Sequence, residues 1–294
     1  MMDFEQLKTF AFTRFNSKTS RSLATACLAL SIICLLCLPL TVTAQSQLGA
    51  DIDGEAATDE SGGSVVLSAD GKRLAVGARL NDGNGFDSGQ VRVFQWIDSA
   101  WVQLGEDING EAIYDESGGA VALSAEGKRL AIGSTLNDGN GPDSGQVRVF
   151  QWDGASWVKL GDDIDGEAAN DRFGGSVSLS SDGQRLAVGA RFNDGNGLDS
   201  GHVRVFQWNG VTWEQIGPDI DGKAAYDEFG GSVSLSSYGE RLAIGADRND
   251  DNGIDSGQVR VYQWFVGFWL QLGDDINGEA FGDYSGNSVS LSSD

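Results

Sequence analysis

The segment LNDGNGFDSGQVRVFQW at residues 80–96 returns as LNDGNGPDSGQVRVFQW at 136–152, FNDGNGLDSGHVRVFQW at 192–208 and RNDDNGIDSGQVRVYQW at 248–264. The step is 56 residues each time, without insertion or deletion. A fixed period of this length means that each unit is one piece of supersecondary structure, too small to bury a core alone and stabilised by its neighbours. Leu-Gly pairs at 48, 104, 160 and 272, with Ile216-Gly217, mark the same step. The units are therefore 48–103, 104–159, 160–215 and 216–271, with a partial fifth at 272–294. That fifth unit stops at NSVSLSSD, where the others continue with G-x-R-L-A-[VI]-G, so the sequence is expected to be a C-terminally incomplete fragment.

Each unit reads as four short strands. In the third unit these are GGSVSLS (174–180), RLAVGA (185–190), HVRVFQW (202–208) and WEQIG (213–217). Asp182-Gly183 joins the first two, and Asn209-Gly210 opens the turn between the last two; both are hairpin signals. With 42 glycines and no apolar spacing at 3.6 residues, helices are not expected. Val203 and Val205 face one side of the third strand, and Phe206 and Trp208 face the other beside the stem of Arg204. A strand apolar on both faces is covered on both. The expected fold is all-β: a β-propeller of four-stranded antiparallel blades, with an incomplete ring of four full repeats and part of a fifth. An open β-solenoid is the alternative. The piece QLGADI (47–52) matches the last strand of a unit and is expected to complete a blade.

Lys8, Arg14, Lys18 and Arg21 precede the apolar run 23–42, and Val42 and Ala44 offer a small-residue exit. This is the pattern of a secretory signal peptide over 1–44, cleaved after Ala44, followed by the repeat region 45–294. An uncleaved membrane anchor is the alternative. All three cysteines, Cys27, Cys34 and Cys37, lie in this segment, so the mature chain would have no disulfide and no thiol nucleophile. The segment's four basic and two acidic residues carry +2, so the net charge of −23 becomes −25 without it. Such a surface repels nucleic acid and anionic membrane and favours cations. High acidity also serves solubility alone. The expected location is secreted or cell-surface, with membrane contact only through the N-terminal segment or a C-terminal anchor beyond the sequence.

FGGSVSLSSDGQRLAVGA (173–190) resembles the FG-GAP repeat of integrin α-subunit N-terminal propellers. The FG element is Phe173-Gly174 and Phe229-Gly230, and becomes Ser61-Gly62, Ser117-Gly118 and Ser285-Gly286. The GAP element appears as GAR at 77 and 189, GAD at 245 and GST at 133, and SGQVRVFQW resembles the family's G-x-V-x-V-[FY] strand. The resemblance spans 48–294 and implies a propeller used for adhesion. The family holds calcium on an Asp-x-Asp-x-Asp-Gly loop between the first two strands. Here that connection is SADG, SAEG, SSDG or SSYG, so this calcium site is not carried over.

A different loop offers oxygen ligands: Asp82, Asn84 and Asp87, repeated as Asp138, Asn140 and Asp143, as Asp194, Asn196 and Asp199, and as Asp250, Asn252 and Asp255. Acidic and amide oxygens on a glycine-permitted turn suit Ca²⁺, although the bidentate Glu of a strong loop site is lacking. The same residues also make a plain tight turn. A second acidic loop, DIDGEA at 51–56, recurs at 107, 163, 219 and 275. It carries Lys223 where the others have Glu55, Glu111, Glu167 and Glu279, which makes it the weaker metal candidate. The Trp pairs 96/101, 152/157, 208/213 and 264/269 flank hairpin turns, where packing explains them better than sugar stacking. His202, the only histidine, stands where the other units have glutamine and reads as a variant of a structural position. With no G-x-S-x-G elbow and near-identical acidic loops, the expectation is a non-enzymatic binding or adhesion module, Ca-stabilised, for an extracellular protein or glycan. The alternatives are a secreted carbohydrate-active enzyme or a structural surface array whose functional part lies further C-terminal.

Overall fold

The computed structural model describes residues 47–293; the signal-peptide reading at 1–44 lies outside them. In the third unit the strands are Ser176–Leu179, Arg185–Ala190, His202–Trp208 and Trp213–Gln215, each antiparallel to the next. The loop between the first two closes as the Asp-Gly signal requires: Ser180 N–H donates to Arg185 O at 2.9 Å, and Asp182 accepts from Ser180 Oγ and Gln184 N. The same sheet recurs in the other three complete units.

Each sheet also has a fifth strand of two residues, which the four-strand reading lacks. Ile220–Asp221 pairs with the start of the third strand, His202 with Asp221 and Val203 with Ile220. The outer edge of each blade is thus shared by two short strands, with a break around Gly217 (φ +77) between them. A second departure concerns residues 47–52, expected as a strand. They form none, because no third strand lies beside them as Phe206 lies beside Gln215 in a complete unit.

Successive blades stack through their first strands and bury apolar cores between them. Val203 and Val205 enter the core with the fourth blade, alongside Leu242 and Ile244. Phe206 enters the core with the second blade, alongside Ala131 and Val149. Both faces of the third strand are covered, as its composition demands. A ladder of backbone bonds steps from blade to blade: Ala69 N–H to Ala125 O, Ala125 to Ser181 and Ser181 to Ser237, at 3.0, 2.8 and 2.8 Å. Arg73, Arg129 and Arg185 each donate to the Gly carbonyl 54 residues ahead.

The fold is a β-propeller whose ring is not closed among the described residues. Leu67 on the first strand of the first blade is 54% exposed, against 9% for its equivalent Leu123. At the far end Ile276 is 57% exposed, where Ile220 is 7%. The blade region forms one compact unit from Leu48 onward.

Candidate functional site

The NDGNG loop leaves the second strand at one end of every blade. Asn81 anchors it from below. Its buried amide donates to Asp59 Oδ2 at 2.9 Å, and its Oδ1 accepts from Gly83 N at 2.8 Å. Asp82 Oδ1 accepts from Asp87 N at 2.9 Å, which holds Asp87 in the left-handed region at φ +49. The third unit repeats this: Asn193 to Asp171, Gly195 to Asn193 and Asp199 to Asp194, at 2.9, 2.8 and 2.9 Å. Asp143 and Asp255 make the same bond, to Asp138 and Asp250.

The two aspartates of each candidate calcium loop therefore lie together. Burial, and then the charge of Asp194, push the Asp199 carboxyl above its usual range. The asparagines play another part. Asn84, Asn140, Asn196 and Asn252 each donate their amide to the carbonyl of a linker glycine, Gly110, Gly166, Gly222 or Gly278, at 2.8–2.9 Å. They clamp the loop onto the strand that leads to the next blade. One oxygen of Asp82 and the hydroxyl of Ser88, with their equivalents, hold the turn, the role such side chains commonly take.

At the loop tips an apolar side chain stands in solvent: Phe86, Leu198 and Ile254 are each more than half exposed, and Pro142 takes the same place in the second unit. Beside each tip lies a linker residue of the following unit. Tyr114 N–H donates to Phe86 O at 2.9 Å, and Tyr226 N–H to Leu198 O at 2.8 Å. Phe86 and Tyr114 meet edge to face at 5.5 Å. Ile113, Tyr114, Tyr226 and Phe281 are exposed on the same rim.

Toward the axis the units diverge. Arg79, Thr135, Arg191 and Asp247 are equivalent positions, as are Glu60, Glu116, Arg172 and Glu228. Arg79, Arg172, Arg191, Thr135 and Glu116 line a cavity of about 460 Å³. Arg79 bonds Glu60 and Glu116 at 2.8 and 3.0 Å, so its charge is already matched.

The glycine-rich elements have a cross-blade reason. The Cβ that alanine would add at Gly189 falls 2.0 Å from Gly230 O of the next blade, and Gly133 meets Gly174 O likewise. Gly174 and Gly230 themselves have φ +93 and +92. A Phe-Gly pair in one unit and a Gly-Ala or Gly-Ser pair in the unit before it thus form one backbone contact. Residues 164–206 and 221–262 match the sequence model of the FG-GAP repeat. The chain carries FG-GAP repeats.

In the third and fourth FG-GAP units the Phe of the signature is fully buried under an arginine: Arg204 lies 4.1 Å over Phe173 and Arg260 lies 3.7 Å over Phe229. In the second unit the position is Ser117, and Arg148 Nη2 donates to its hydroxyl at 3.0 Å instead. No curated protein matches the sequence. Among solved structures, a candidate 6-phosphogluconolactonase of Bacteroides uniformis is 17% identical, over 73% of this chain and 54% of its own, with a TM-score of 0.51. The periplasmic gluconolactonase of Pseudomonas aeruginosa is 18% identical, over 71% and 56%, with a TM-score of 0.47. The β-propeller domain of the Trilobed protease of Pyrococcus furiosus is 10% identical, over 70% and 55%, with a TM-score of 0.40. The chain spans about half the length of the structures it matches. The likeness is one of fold.

The FG-GAP units also bury the one histidine. His202 is 2% exposed, and burial, with the charge of Arg204, lowers its pKa to about 4. The Trp pairs pack against each other at 5.2–5.5 Å. Trp157 and Trp213 donate their indole N–H across to Leu104 O and Leu160 O, at 2.9 and 3.0 Å. Both results agree with packing.

Proposed function

We propose that this FG-GAP propeller is a non-enzymatic binding or adhesion module, secreted or displayed on the cell surface. Its ligand face is the row of NDGNG loops, and its partner is an extracellular protein or glycan. The observation that carries this reading is the repetition of one exposed arrangement, blade after blade: an apolar tip, an adjoining linker residue and a pair of aspartates. Exposed apolar side chains framed by polar groups are how recognition surfaces are built, and equivalent sites on one rigid scaffold add by avidity. The aspartate pairs are candidate Ca²⁺ ligands, completed by backbone carbonyls and water.

The test changes tips and charges separately on the full chain. Phe86→Ser, Leu198→Ser and Ile254→Ser alter solvent-facing side chains. On glycan and extracellular-protein arrays, apparent affinity is expected to fall further with each tip removed, by more than about tenfold for all three. A triple variant that binds every ligand as the parent does would refute the loop face. For calcium, Tm is expected to rise by a few degrees at about 1 mM Ca²⁺. The rise is expected to vanish when Asp82, Asp138, Asp194 and Asp250 become Asn, which keeps the Oδ1 acceptor for the turn. No shift in the parent chain removes calcium from the account and leaves the ligand face standing.

A further inference from the structure

One corner of the outer blade edge recurs in every unit, and its occupant changes. It is formed by the fifth residue of the DIDGEA linker motif, the first residue of the third strand, and an aspartate just before the two-residue strand. In the second unit these are Glu111, Gln146 and Asp163, and the ammonium of Lys159 sits between the two carboxylates, 2.6 Å from Asp163 and 4.0 Å from Glu111. In the fourth unit Lys223 replaces the glutamate and pairs directly with Asp275. In the first unit the Gln90 amide donates to Glu55 at 3.1 Å. The third unit has no lysine here. Glu167, His202 and Asp219 bring a ligand atom each within 4.8 Å of one another. The residue equivalent to Lys159 is Gln215, which donates to Asp219 Oδ1 at 2.7 Å.

The imidazole is what makes this corner unlike a plain acidic cluster. His202 is buried, and its Nδ1 faces Glu167 Oε2 at 4.0 Å, beyond hydrogen-bond length; its Nε2 has no hydrogen-bond partner, as is true of Oε1 of Gln90, Gln146 and Gln258 at the same position in the other blades. Arg204 approaches the other oxygen of Glu167 at 3.7 Å and leaves Oε2 on the histidine side. Asp221 stands opposite His202 in the strand register and adds negative charge.

We propose that Glu167, His202 and Asp219 bind one divalent first-row transition-metal ion, of the Zn²⁺ class, in the place that lysine fills in the second and fourth units. One imidazole nitrogen with two carboxylate oxygens is a donor set for such ions, and water completes the coordination. Ca²⁺, which takes oxygen ligands, has no use for the imidazole. The site shares no residue with the NDGNG loops and stands or falls independently of them.

The full chain, stripped with EDTA, is titrated with Zn²⁺ while the ring signals of its single histidine are followed by NMR. Those signals are expected to shift and saturate at one equivalent. His202→Gln, which installs the residue of the other units, is expected to lose that tight equivalent while its metal-free Tm stays close to the parent's. Gln215→Lys leaves every proposed ligand in place and grafts in the lysine of the second unit. It is expected to weaken Zn²⁺ binding by about tenfold or more, as altered surroundings of a metal site do. Histidine signals that ignore Zn²⁺ overturn the proposal. So does a His202→Gln chain that binds Zn²⁺ as tightly as the parent, since the carboxylates alone would then hold it. Undiminished binding in Gln215→Lys overturns the idea that metal and lysine compete for one place.

Discussion

Gly189→Ala is expected to destabilise the chain by on the order of 3 kcal/mol, more than a methyl group in open space could. The added Cβ falls 2.0 Å from the carbonyl oxygen of Gly230, which is backbone of the next blade and cannot swing aside as a side-chain end would. Relief requires the two blades to move apart. That would loosen the core shared by Val203, Val205, Leu242 and Ile244. Gly119→Ala is the control. Gly119 is not among the positive-φ glycines, and its Cβ would meet nothing closer than 3.5 Å. Urea unfolding followed by tryptophan fluorescence is expected to show a large loss for the first variant and a small one for the second.

Phe173→Ala is expected to cost about 3–5 kcal/mol, the range for emptying an aromatic site in a core. Phe173 is fully buried, meets Phe206 edge to face at 6.2 Å and carries the Arg204 guanidinium on its ring. Its loss leaves a cavity and removes the surface on which that arginine rests while its Nη2 donates to Asp165 O at 2.6 Å. The second unit shows a different solution, a serine hydroxyl bonded to Arg148. Phe173→Ser is accordingly expected to be no worse than Phe173→Ala in the same unfolding assay, although a hydroxyl without a partner would normally make it worse.

The parts of this architecture that local chemistry dictates were legible in the residues. The Asp182-Gly183 and Asn209-Gly210 turns, the alternation of SVSL and the two-faced Val203–Trp208 strand each specify their own conformation, and the 56-residue period says that each does so repeatedly. What escaped depends on partners far along the chain. Ile220–Asp221 lies in an acidic, glycine-bearing stretch that reads as loop, and only the buried Ile220 marked it as part of the sheet. Residues 47–52 have the letters of an outer strand without a neighbour to pair with. The asparagines of the NDGNG loops pass for oxygen ligands on composition, yet their amides clamp linkers 26 residues ahead. His202 read as an exchange for glutamine because residues 167, 202 and 219 share a corner only once the sheet is folded.

The stacking of equivalent blades is tested most directly by residue-resolved amide hydrogen exchange. Protection is expected to recur every 56 residues: slow exchange at Val91, Val147, Val203 and Val259 on the third strands, with Asp87 and its equivalents slower than the exposed loop tips beside them. A protection pattern without that period, or third-strand amides that exchange as fast as the loops, would contradict the account.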